Sequence, residues 1–241
     1  MSGRTPDRPV RLPVCFQDWE HLTFLHWPYD VEIVQRLVPD ELTVQQWEGR
    51  TWVGITAFRM VGVRPPGLPP VPGWGAFPEL NVRAYVRRSD GRDGIWFLGM
   101  VVPRFGFIAA LRSLGLPYER SRSSVSVDGS RWVYRFGTPH WFLSRHDDWF
   151  QAVVDVGSSL RAPELTPLVE SITGRWSAYH RQGGVLWRTP VAHEPWPLCA
   201  ATVTGSLEAP LRWAGLPSPT TDPLVHAARA VHTRLGVPRL T

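Results

Sequence analysis

The stretch Phe77–Val86, FPELNVRAYV, decides the fold class. Pro78, Leu80, Val82, Ala84 and Val86 are apolar, and Glu79, Asn81, Arg83 and Tyr85 alternate with them. Successive side chains of a strand point to opposite faces, so strict alternation over this length predicts a two-faced strand. The apolar face must pack against another layer. The polar face admits two readings: an amphipathic strand open to water, or one wall of an internal cavity.

Working outward, strands dominate. HLTFLHW (21–27) reads as a strand, and DVEIVQRLVPDEL (30–42) as a short helix with Asp30 at its N-cap and Pro39 at its end. Glu48-Gly49 sits between two strand-like runs as a hairpin turn. VRPPGLPPVPGWGAFP (63–78) is a long loop dense in Pro and Gly, carrying Trp74. SDGRDG (89–94) turns the opening strand back into IWFLGMVV, GFIAALRSLG (106–115) reads as a helix, and Asp128-Gly129 marks another hairpin. In the second half, APELTPLVESI (162–172) reads as a helix, and GVLWRTPVA and LCAATVTGSL as strands. Leu224, Ala227, Ala228, Val231 and Leu235 recur at helical spacing after Pro223, which predicts a C-terminal helix. Many short strands with few helices imply a mainly β barrel or sandwich with peripheral helices. The expected organisation is an extended N-terminal segment, 1–14, followed by one domain over 15–241.

Composition narrows the functional classes. The chain has 241 residues, 43% of them hydrophobic, 13 Trp and 24 Pro, enough apolar mass for a sizeable core. Its two cysteines, Cys15 and Cys199, exclude a disulfide framework, and the first residues lack the apolar core of a secretory signal, so a cytoplasmic location is expected. The most apolar stretch is interrupted by Pro103 and Arg104 and is too short for a membrane span. The net charge of +5 rests entirely on arginine, since the chain contains no lysine. The arginines are scattered, which argues against a nucleic-acid stripe. Phosphate-binding, dinucleotide and zinc-hydrolase motifs are absent. His146, Asp147 and Asp148 are adjacent, but neighbours in sequence rarely share a metal, and no metal or other cofactor is expected.

Four segments together carry a resemblance: LTFLHWPYDVEIVQRLVPDEL, GRTWVGITAFRMVGVRPPGLPPVPG, FPELNVRAYV and GLPYERSR. They resemble the YqjF-like proteins, an uncharacterised family (domain of unknown function 2071) within the acetoacetate decarboxylase-like superfamily. The resemblance implies an antiparallel β-barrel or cone around one small-molecule cavity. It also places Glu79 in that cavity, because a glutamate in the similar segment of the decarboxylases lies there. Period-two alternation then turns Asn81 and Arg83 the same way.

The departures from those decarboxylases are informative. Their Schiff-base lysine follows a proline; here Tyr118 follows Pro117, with Glu119 where the second lysine would stand. The family's active-site arginine matches Glu20, and a second active-site glutamate matches Gly54. With no side-chain amine, imine formation is excluded. Nearer relatives continue the strand after WF with an aspartate; this chain has Gly99 and no Asp there.

Two functions from different classes remain open. The first is an enzyme with Glu79 as acid/base and Tyr118 as hydrogen-bond donor, with Arg83, Asn81, His26, Arg59 and Trp74 as substrate contacts. Its substrate would be a small molecule with a carboxylate or carbonyl, and its reaction a lyase, cyclase or isomerase step. The second is a non-catalytic binding or sensing barrel using the same groups. In the bland version, Glu79 and Arg83 form a structural pair and Tyr118 fills core volume. Association into a homo-oligomer stays open.

Overall fold

The computed structural model describes residues 5–6, 9–139 and 148–241. Strand β1 (Pro13–Tyr29) leads into the short helix α1 (Val31–Gln35), then β2 (Leu42–Val44), β3 (Gln46–Trp47) and β4 (Arg50–Arg64). The opening stretch lies in β5 (Ala76–Arg88), followed by β6 (Asp93–Val102), α2 (Phe105–Arg112) and β7 (Tyr118–Arg120). β8 (Ser123–Asp128) and β9 (Arg131–Gly137) form a hairpin, and β10 (Trp149–Ser159) follows. A single 3-10 turn precedes α3 (Pro167–Thr173), β11 (Ser177–Gln182), β12 (Val185–Ala192) and β13 (Leu198–Ser206). The chain closes with α4 (Ala209–Trp213), β14 (Leu224–Gly236) and β15 (Arg239–Leu240).

Strand order defines the architecture. β14, β1, β4, β5, β6, β11 and β12 are neighbours in turn, and β12 pairs back to β14 through Val191–Leu235 and Ala192–Arg234, so the sheet closes into a ring. The ring is antiparallel except where β6 meets β11, a parallel pair anchored at Ile95–Ala178. β13, β10, β9 and β8 continue from β14 as an outer layer. Trp132, Tyr134 and Phe136 of β9 share one buried cluster with Leu80, Val82, Ala84 and Val86 of β5. The apolar face of the opening strand therefore packs outward against this second layer. Each buried Leu or Val there contributes about 1.5–3 kcal/mol.

Turn chemistry agrees with the sequence. Glu48 and Gly49 both adopt positive φ (51° and 76°), the two-residue conformation whose twist matches a hairpin. Asp30 occupies the N-cap of α1, although its side chain makes no cap hydrogen bond. It pairs instead with Arg50 at 2.9 Å.

The C-terminal helix expected from Leu224 to Leu235 is corrected: this segment is β14, paired along β1 from Cys15–Leu235 to His26–Leu224. Ala227 belongs to the outer cluster and Ala228 to the inner one, so consecutive alanines face opposite layers. Where His226, Ala227 and Ala228 are all buried, the strand loses its period-two signature, and the small residues let both layers approach. Tertiary pairing then overrides the helical propensity of alanine. β10 and β11, both without a clear sequence signature, complete the outer layer and the ring.

Candidate functional site

The ring encloses a cavity of about 520 Å³, and every strand of the ring contributes to its wall. From β5 come Glu79, Asn81 and Arg83, which are 2%, 5% and 7% exposed. The odd face of the opening strand thus looks inward. Cross-strand register aligns Glu79 with Phe58, Asn81 with Thr56 and Arg83 with Gly54 of β4. A larger, more open groove of about 950 Å³ lies beside the N-terminal segment, lined by Arg11, Arg92, Arg188 and Arg239. It contains none of Glu79, Arg83 and Tyr118, which all line the inner cavity.

Glu79 is the central group. Tyr118 donates its hydroxyl to Glu79 Oε2 at 3.1 Å. β7 positions Tyr118 by pairing beside β6 at Met100, and Phe107 of α2 packs edge-on against its ring at 5.2 Å. Removal from water raises the Glu79 carboxyl to about 7, against the lowering effects of Tyr118, Asn81 and the Arg83 charge. Burial and the neighbouring carboxylate push the Tyr118 phenol well above its ordinary value, so it stays a donor. Arg83 donates to the Thr56 hydroxyl and lies 5.3 Å from the Phe24 ring centroid. Among the described residues Arg83 forms no salt bridge, and its Nε is buried without a hydrogen-bond partner. A desolvated guanidinium held this way is a ready anion receptor. Asn81 Oδ1 is likewise buried with no partner among the described residues.

Trp74 lines the cavity and packs edge-on against Phe107 at 5.1 Å, extending the aromatic wall above Tyr118. Two expected contacts lie elsewhere. Arg59 does not reach the cavity: Thr56, Phe58 and Met60 of β4 point inward, so Arg59 points out, half exposed and 3.8 Å from Glu20. That same outward pair accounts for Glu20, which has no role in the wall. His26 is fully buried one layer below, where its Nε2 shares a 2.6 Å hydrogen bond with the Tyr85 hydroxyl. A Cβ at Gly54 would sit 2.5 Å from the Tyr85 oxygen and 3.0 Å from the His26 ring, so the Tyr85–His26 pair fills the space a side chain at 54 would take. Gly54→Ala is accordingly expected to lower stability by roughly 1–3 kcal/mol, read as a lower urea midpoint. An unchanged midpoint would mean that the pair moves aside freely.

His146 and Asp147 lie outside the described residues. Asp148 is engaged by Arg212 at 3.0 Å. Among the described residues no group of three or more His, Cys, Asp and Glu is arranged to hold a metal ion.

The structure adds cavity residues that the sequence did not single out. Arg175, just past α3, has a side chain 2% exposed, lies 3.5 Å from Asp93 and sits over the Tyr85 ring at 5.2 Å. Burial lowers its pKa to about 10, and its guanidinium stays charged at neutral pH. His180 of β11 and His193 after β12 also face the cavity. His193 is held between Trp176 and Trp196, with ring centroids at 4.5 and 4.2 Å, and burial lowers it to about 4. Both imidazoles are neutral under ordinary conditions, since burial also lowers His180. A period-two trace does exist in the sequence, with Ala178, His180 and Gln182 all cavity-lining, but a polar inward face on a short strand looks like a solvent-facing one.

The chain has an acetoacetate decarboxylase-like fold. The chain superposes on acetoacetate decarboxylase from Legionella pneumophila with a TM-score of 0.62 and 14% identity, covering 95% of this chain and 88% of that one. It matches the enduracididine biosynthesis enzyme MppR complexed with pyruvate with a TM-score of 0.64 and 14% identity, covering 97% and 93%. The protein belongs to the family of domain of unknown function 2071, described as an uncharacterized conserved protein, whose model matches residues 16–232. It is 30% identical over 237 residues to the uncharacterized protein YqjF of Bacillus subtilis (strain 168), with 95% of each chain covered. No helix among the described residues is long and apolar enough to cross a membrane.

Proposed function

We propose that this protein is a lysine-independent acid/base enzyme acting on a small oxo acid, with Glu79 as the proton-transfer group. The observation that carries this is the buried Glu79 carboxyl, raised to about 7, hydrogen-bonded to Tyr118 and sharing one cavity with Arg83. A carboxyl of that pKa exchanges protons efficiently near neutrality. Support of a coarser kind comes from the fold, since one structural neighbour was solved with pyruvate bound.

In this reading the substrate carboxylate lies against Arg83, with Asn81 and the neutral His180 orienting it. Ionised Glu79 removes a proton from the carbon beside the carbonyl: the C–H bond breaks, an O–H bond forms on Glu79, and the electron pair moves onto the carbonyl oxygen as an enolate. Protonated Glu79 is a weaker acceptor, which frees the Tyr118 hydroxyl to donate to that oxygen. Removing such a donor typically costs a hundredfold or more when the oxygen carries full charge. Arg83 shares the charge here, and Tyr118→Phe is expected to slow turnover by roughly tenfold with unchanged thermal stability. A silent Phe variant would reduce Tyr118 to a packing residue.

The test is exchange of the hydrogens beside the carbonyl of 2-oxobutyrate in deuterated buffer, followed by proton NMR. Catalysed exchange with a rate that rises through about pH 7 supports the reading, because the ionised carboxylate is the active form. A melting-temperature increase with oxo acids but no exchange would favour a binding barrel.

A further inference from the structure

The size and gradient of the cavity say more about the substrate, resting on the site proposed above. With about 30 Å³ of liquid volume per water, the cavity has room for roughly 17 water-sized groups, whereas pyruvate has only about six non-hydrogen atoms. Cavities of roughly 300–1,000 Å³ suit considerably larger ligands.

Polarity changes in one direction along the inward face. On β5 and β4 the cross-strand pairs run Arg83–Gly54, Asn81–Thr56, Glu79–Phe58 and Phe77–Met60, from charged to wholly apolar. Same-face positions on a strand are about 6.4–6.8 Å apart, so each step is a substantial fraction of a ligand's length. Beyond Glu79 the wall continues as Met60, Val63, Trp74, Phe107 and Leu111, with no charged side chain among them. Phe107, Met60 and Val63 are almost completely buried, at 3%, 2% and 4% exposed. A three-carbon acid held by Arg83 leaves this apolar end unused. A chain extending past Glu79 covers it.

We propose that the natural substrate is an amphipathic oxo acid, with its carboxylate at Arg83, its reacting carbon at Glu79 and an apolar tail of several carbons along Met60, Val63, Trp74, Phe107 and Leu111. The tail supplies affinity while the polar head fixes the reacting atoms.

The experiment is calorimetric titration of the whole protein with straight-chain 2-oxo acids, from pyruvate to 2-oxodecanoate, alongside the proton-exchange assay on each. Affinity should rise roughly fourfold per added methylene until the apolar end is filled. Leu111→Trp, which shortens that end from the half-buried face of α2, should move the plateau to shorter chains. Affinity independent of chain length, or a plateau that Leu111→Trp does not move, overturns the tail assignment. Exchange without chain-length dependence sinks the tail and leaves Glu79 catalysis standing. Chain-length-dependent binding without exchange does the reverse.

Discussion

Glu79→Gln should lower oxo-acid proton exchange by about a thousandfold, within the 10²–10⁴ range that a positioned general base contributes. The amide preserves the shape of the side chain and keeps an oxygen to accept from Tyr118, so the cavity geometry survives. What is lost is the capacity to take a proton. Ligand affinity, held by Arg83 and the apolar wall, should change little. The loss should therefore fall on kcat and leave KM almost untouched. A variant retaining exchange within tenfold of the parent would place the base elsewhere, with His180 the next group to test.

The second large effect is a pH-dependent gain in stability from the same substitution. The folded-state Glu79 carboxyl titrates near 7 and the unfolded one near 4.5, so between these values the folded protein binds the extra proton. Stability from this group is complete below about 4.5 and declines as pH rises to 7, above which the buried charge costs a constant amount. The rise from 4.5 to about 7 corresponds to about 3 kcal/mol. Glu79→Gln carries no such charge. It should match the parent near pH 4 and exceed it by up to about 3 kcal/mol at pH 8, measured by urea unfolding at the two pH values. Equal stabilities at pH 8 would mean that the carboxylate is solvated in the folded state.

The two effects have one origin, which is common where a functional group is held in an environment that disfavours its charged form. Arg83 contributes similarly: its Nε has no partner among the described residues and its charge is desolvated, both unfavourable for folding alone and favourable for holding an anion. Such a site is expected to stabilise the protein when filled, because a ligand that binds only the folded state adds to its stability.

The N-terminal half of this architecture is legible in the sequence because its strands face two different environments. FPELNVRAYV alternates since Leu80, Val82, Ala84 and Val86 join the outer buried cluster while Glu79, Asn81 and Arg83 line the cavity. The Glu48-Gly49 turn is legible because positive φ selects its residues. β14 is not legible, since His226, Ala227 and Ala228 are all buried and Ala227-Ala228 replaces alternation with uniform small residues. The ring closure at Val191–Leu235 is a long-range pairing with no local sequence signature.

The site divides along similar lines. Glu79, Asn81, Arg83, Tyr118 and Trp74 come to the cavity from segments with a recognisable pattern or match. Arg59 misleads because the sequence of β4 alone does not say which of its faces is inward, and the register with β5 tells in from out. Arg175, His180 and His193 arrive through α3, β11 and the turn after β12, and no local pattern distinguishes them from surface polar residues. The long-range pairing of β6 with β11 helps bring them to the wall of the same cavity as Glu79.

The most direct test needs no substrate. Difference infrared spectroscopy of the parent protein against Glu79→Gln, recorded from pH 4 to pH 9, isolates the carboxyl stretch of this one residue. A protonated-carboxyl band should persist above pH 6 and disappear with a midpoint near 7. A band lost with a midpoint near 4.5, the ordinary value for glutamate, would contradict it.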